Sequence, residues 1–104
     1  HGRYVSTPKL NIRRLQEISR RNDLPLVLHG GSGTSDEDFK SCIHNGISKI
    51  NVATSLQVAI VSEVKKYFSY SSSPDYQTMK EIMIDATCSS VKQHLVLFES
   101  NGRA

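Results

Sequence analysis

The chain lacks most features that would assign it to a class at once. Its 104 residues contain no apolar run near the roughly 20 residues that a membrane span requires. Nothing at the front reads as a secretory leader. Cysteine is scarce: Cys42 and Cys88 lie far apart and form no CxxC pair. A disulfide scaffold is therefore unsupported, and two free thiols in a reducing cytoplasm are expected. Charge of one sign is also in short supply, with a formal net charge of only +3. Much of that excess sits in Arg13, Arg14, Arg20 and Arg21, and no aromatic residues are interleaved with them. A solvated helix face explains these arginines better than a nucleic-acid surface does. With 38% hydrophobic and 22% charged residues, the chain has the composition of a folded unit rather than a disordered one. Composition leaves a mixed α/β protein and no function.

Residues His1 to Pro8 read as loop. Leu10, Ile12, Leu15 and Ile18 then fall near helical spacing, which predicts an amphipathic helix over about 9–21. Asn22-Asp23 breaks it. The apolar run 24–28 reads as a short strand buried on both faces, with Pro25 tolerated only at its start. After the glycine cluster, Ser35 and the acidic triplet Asp36-Glu37-Asp38 mark a helix start. Its apolar stripe is Phe39, Cys42 and Ile43, and Asn45-Gly46 closes it. A second strand is expected over 48–52. The next helix is capped by Thr54 or Ser55 and carries Leu56, Ala59, Ile60, Val64 and Phe68. A polar link, 69–75, precedes a last helix over about 76–96 that buries Met79, Ile82, Met83, Ala86, Val91 and Leu95. Strands alternating with crossover helices imply parallel pairing. Two strands leave both faces and both edges short of cover, so the chain reads as a piece of a larger α/β fold.

The chemistry is concentrated where these strands end. In LPLVLHGGSG a strand runs directly into glycines, whose backbone N–H groups can form a nest for an anion. It is not a GxxxxGK[ST] loop, and Thr34 stands where a GxSxG elbow needs glycine. A plain structural turn is the competing reading. His29 sits at the tip of the strand, where α/β enzymes keep ligands and catalysts; a histidine satisfied within a loop is the alternative. His1 also precedes a glycine, so two imidazoles could converge. A catalytic zinc takes three protein ligands, so a third would come from outside this sequence. His44 and His94 fall on helices without acidic or histidine partners at i+3 or i+4, and both read as surface or capping residues. At the second strand's end, Asn51 would turn its amide into the same mouth. Thr54 would add a hydroxyl and a helix N-terminus, or simply cap the helix.

Taken in order, HGRY…PKL, LPLVLHGGSG and GISKINVAT strongly resemble the C-terminal part of the class II ketose-bisphosphate aldolases. The likeness runs over nearly the whole chain and includes MKEI…LFESNGRA at the end, with Glu99 in place of the usual small residue. The resemblance implies an α/β fold, the C-terminal part of a (β/α)₈ TIM barrel. That part is about strands seven and eight with their helices plus a C-terminal helix, so residues 1–104 are a fragment of one barrel domain. It implies a zinc-dependent aldehyde-lyase that cleaves fructose or tagatose 1,6-bisphosphate to dihydroxyacetone phosphate and glyceraldehyde 3-phosphate.

Carried onto this sequence, His1 and His29 match the second and third zinc ligands. Gly2, Gly30, Gly31 and Ser32 match substrate-phosphate contacts. Asn51, Val52, Ala53 and Thr54 match the stretch that holds the phosphate and a ketose hydroxyl. The family's first zinc ligand and its acid/base aspartate have no counterpart, so no catalytic acid/base is expected in this chain. Zinc is the implied cofactor, with a monovalent cation as a second candidate. A sugar bisphosphate or dihydroxyacetone phosphate is the implied partner, with no nucleic acid and no membrane. A cytoplasmic homodimer or homotetramer is expected at full length. Ala53 fits the tagatose-type pattern, and the choice of sugar stays open. The rival readings are a phosphate-binding remnant without lyase activity and a basic domain that contacts nucleic acid.

Overall fold

A computed structural model describes residues 9–31 and 33–103. His1, Gly2 and Ser32, all expected site residues, lie outside the described residues. The described chain folds as four helices and two short parallel strands: α1 (Ile12–Arg20), β1 (Leu26–Leu28), α2 (Asp36–His44), β2 (Ile47–Ile50), α3 (Thr54–Tyr70) and α4 (Tyr76–Leu97).

The first helix starts later than its apolar spacing suggests. Asn11 accepts a hydrogen bond from the Arg14 amide at 2.9 Å and caps it, which satisfies an otherwise orphaned donor. Ile18, expected in the stripe, is exposed. Gln16 instead bonds Asn45 at 2.6 Å and ties α1 to the end of α2. Arg13 and Arg14 meet Glu17 at 3.6 Å on a solvated face, where such pairs contribute little. An Asx-type bond from the Leu24 amide to Asn22 follows, and Pro25 lacks a ladder donor, so β1 begins only at Leu26.

Strands β1 and β2 pair in parallel, with Leu26 opposite Ile47, Val27 opposite Lys49 and Leu28 opposite Ile50. The expected direction holds, although both strands are shorter than the apolar runs. Asn51 extends the pairing by one bond, its amide donating to the Leu28 carbonyl at 3.1 Å. The expected burial on both faces does not: Leu24 and Val27 are exposed, because nothing among the described residues covers that side of the sheet.

The crossover helix α2 buries Phe39 and Cys42 against the sheet. Ser35 caps it, accepting from the Asp38 amide at 3.1 Å. Burial, and then the nearby Asp38 carboxylate, push the Cys42 thiol above its ordinary pKa, so it stays protonated and inert. Gly46 ends the helix at φ +114°, and a Cβ there would meet the Ser19 Cβ at 2.8 Å.

Helices α3 and α4 pack as a hairpin across the link 71–75. Small residues set their close approach: Ala86 and Ser90 are buried, whereas Met83, Val91 and Leu95, expected inside, are exposed. On α3 the buried aromatic is Tyr67, and the expected Phe68 is exposed. The reason is polar. The Tyr67 hydroxyl donates to the Asp75 carboxylate at 3.1 Å and accepts from the Asp75 amide at 2.9 Å. Asp75 in turn caps α4 through the Thr78 amide at 2.9 Å. At the other end Phe98 stacks on Phe39 with ring centroids 5.2 Å apart. That contact docks the end of α4 beside the sheet.

Candidate functional site

The carboxyl ends of both strands open into one cleft of about 290 Å³. After β1, His29, Gly30 and Gly31 form one wall; after β2, Asn51, Val52, Ala53 and Thr54 form another. Every described residue assigned to a site from sequence therefore meets in one place. Asp36, Phe39, Ser55, His94 and Leu97 complete the lining, with Gly33 and Thr34 from the glycine loop.

The loop after β1 takes its shape from glycine. Gly30 and Gly33 hold positive φ, 69° and 83°, which side chains with a Cβ disfavour. Gly31 is required for a different reason. A Cβ there would lie 2.9 Å from the Phe39 ring, so the loop can close over α2 only without a side chain.

His29 is exposed at the mouth. The Asn51 amide nitrogen lies 3.1 Å from its Nδ1 and 3.4 Å from its Nε2. The two strand ends are thus joined through the His29 and Asn51 side chains, 22 residues apart in sequence.

Helix α3 begins at the cleft, but not as either capping reading expected. Ala53 is its N-cap, and Thr54 and Ser55 are already inside the first turn. No side chain caps α3, whereas Asn11, Ser35 and Asp75 cap the other three helices. Its first amides therefore retain the partial positive charge of a helix start toward the cleft. The Thr54 hydroxyl is likewise not used as the cap.

Sequence reasoning missed His94. Its Nδ1 lies 2.7 Å from the Ser90 carbonyl oxygen, and its Nε2 is 3.4 Å from the Ser55 hydroxyl. No spacing within α4 signals this role, because the ring meets its partner 39 residues earlier. His44 pairs with Glu99 at 3.2 Å on the surface, a tertiary partner that local spacing also could not show. Among the described residues no three histidine, cysteine or acidic side chains group as a metal site. His29 fits as one imidazole donor at the strand end. No helix among them is long and apolar enough to cross a membrane.

Two parallel strands joined by the crossover helix α2, with a cleft at their carboxyl ends, define an α/β arrangement of the barrel or open-sheet kind. The sequence model of class II fructose-bisphosphate aldolases matches residues 1–103, and the chain belongs to that family. It is similar to the crystal structure of the YdjI aldolase from Escherichia coli K12, with 34% identity and a TM-score of 0.88. That likeness covers 99% of this chain and 38% of the YdjI chain.

Proposed function

We propose that residues 1–104 form the C-terminal part, about strands seven and eight with the closing helices, of one (β/α)₈ aldolase barrel. Its reaction would be zinc-dependent cleavage of a ketose 1,6-bisphosphate, fructose or tagatose, to dihydroxyacetone phosphate and glyceraldehyde 3-phosphate. The observation that carries the reading is the convergence of His29, Asn51, the glycine loop and the uncapped start of α3 on one cleft, in a chain of the class II family. The surface supports a partial barrel. Leu24, Val27, Val61, Ile84 and Val96 are among the exposed apolar residues, as expected where further strands and helices belong.

In this reading His1 and His29 would hold zinc with a third ligand from outside the sequence. A zinc held there would supply Lewis-acid polarisation of the substrate carbonyl. The chain's own residues do the positioning. Asn51 holds the imidazole of His29. Gly2, Gly30, Gly31 and Ser32 take the substrate phosphate with backbone and hydroxyl donors. Val52, Ala53 and Thr54 present the start of α3 to the same phosphate. Anchoring the phosphate away from the reacting carbons fixes their orientation before the bond breaks.

The test is cleavage of fructose and tagatose bisphosphates, with excess zinc, by the complete protein that carries this chain. His29→Ala should abolish cleavage, and Thr54→Ala should chiefly raise KM. The 104-residue chain by itself should bind zinc weakly and cleave neither sugar. Full activity of His29→Ala would remove the metal assignment. Phosphate binding without any cleavage by the complete protein would leave a non-catalytic phosphate-binding remnant.

A further inference from the structure

We infer that His94 is a phosphate-binding residue of this cleft, a side chain placed to meet the ligand's phosphate oxygens beside the start of α3; the inference rests on the proposed function. Helix α4 turns back after the link 71–75 and carries the ring to the mouth of the cleft, where it lines the same space as His29, Asn51 and Thr54.

The ring is held in one orientation. Its Nδ1 lies 2.7 Å from the Ser90 carbonyl oxygen, which can only accept, so Nδ1 carries a proton. Phe98 packs edge-on against it, with ring centroids 5.4 Å apart at 66°. The nitrogen left to meet a ligand is Nε2. It faces the Ser55 hydroxyl at 3.4 Å, longer than the about 2.7–3.2 Å of a strong bond. Ser55 is the second residue of the uncapped helix α3. An oxyanion at that helix start would therefore meet backbone amides, the Ser55 hydroxyl and Nε2 together.

Charge counting singles out this ring. No lysine or arginine is among the described residues lining the cleft, and Asp36 is its carboxylate. A zinc-bound His29 is a neutral ligand and supplies no positive charge to a phosphate. Among the described residues lining the cleft, His94 is the side chain that can. With a proton on Nε2 it donates a charge-assisted bond to a phosphate oxygen, the stronger kind of hydrogen bond.

The experiment measures binding of inorganic phosphate, and kcat and KM for a ketose bisphosphate, in the complete protein that carries this chain. His94→Phe keeps the ring volume and its packing on Phe98; His94→Gln restores a neutral donor without charge. For His94→Phe, phosphate Kd and bisphosphate KM should both rise about 10- to 100-fold, the range for a hydrogen bond to a charged group. Its kcat should change less than about twofold, as expected for contact made equally in ground and transition states. His94→Gln should fall between the two, and it carries the test if His94→Phe does not fold. Unchanged phosphate affinity in a folded variant, or a fall in kcat at constant KM, overturns the inference. His94-dependent phosphate binding without sugar cleavage would sink the lyase reading and leave this one standing. Cleavage by the wild type with phosphate binding indifferent to His94 would do the reverse.

Discussion

The strand-and-glycine region, 26–55, and the helical hairpin, 54–97, are built on opposite principles. The first is held by backbone geometry: strands of three and four residues, glycines at positive φ, and a loop that approaches Phe39 too closely for any Cβ. Its His29 and Asn51 side chains meet near solvent. The hairpin is held by side chains, with Ala86 and Ser90 allowing close approach and Tyr67 buried over its polar link to Asp75. Capping follows the same division. Asp75 caps the start of α4 with its side chain, whereas α3 is left uncapped where it meets the cleft. Packing and the cleft's open mouth are thus assigned to different regions, and His94 is where the hairpin reaches the cleft.

That division is sharpest if changes in each region affect different measurements. The largest expected effect is at Asn51, the bridge between the two strand ends. Asn51→Ala should lower kcat/KM for bisphosphate cleavage by the complete protein about 10- to 100-fold, the usual loss for a residue that orients a metal ligand, while Tm moves little. A large Tm drop instead would show that the bridge is structural. Gly31→Ala is next, because its methyl would overlap the Phe39 ring. Overpacking of this kind costs about 1–3 kcal/mol, so both denaturation midpoint and phosphate affinity should fall; retention of both would mean the loop can move away freely. In the hairpin, Tyr67→Phe removes the hydroxyl that serves Asp75 and should cost about 1 kcal/mol without changing KM. A shift in KM there would break the comparison.

The smallest effect is a pH dependence at Asp75. Hydrogen bonds from the Thr78 backbone, followed by its side chain, hold the carboxyl below its ordinary value of 3.8. A lowered folded pKa means that the stabilisation is present above the unfolded value and is lost as pH falls through the folded one. Tm should therefore decline on acidification below about pH 4 more steeply in the wild type than in Asp75→Asn. Parallel declines would remove Asp75 as a contributor.

Much of this architecture is legible along the chain because it depends on local chemistry. Ser35 before an acidic turn, Asn45-Gly46 after a helix, and an apolar run ending in His29 and glycines each act through neighbours a few residues away. The same holds for the meeting of His29 with Asn51, since a parallel crossover brings consecutive strand ends to one side. Periodicity was less reliable for which apolar residues are inside. It favours Phe68 over Tyr67, but the Tyr67 hydroxyl finds a partner eight residues away and rotates the buried face by one position. It favours Met83, Val91 and Leu95, but Ala86 and Ser90 face α3 because small side chains permit the closer packing.

By itself, the sequence determined the parallel strand–helix–strand unit, the glycine loop, and the placement of His29, Asn51 and Thr54 at one mouth, since these follow from chain order and backbone sterics. Only the tertiary structure decided that α3 starts uncapped and that His94 faces Ser55. Both depend on how the hairpin docks through Phe98 and Phe39. That docking joins residues 59 positions apart in the chain, a separation over which neither helical periodicity nor capping chemistry carries information.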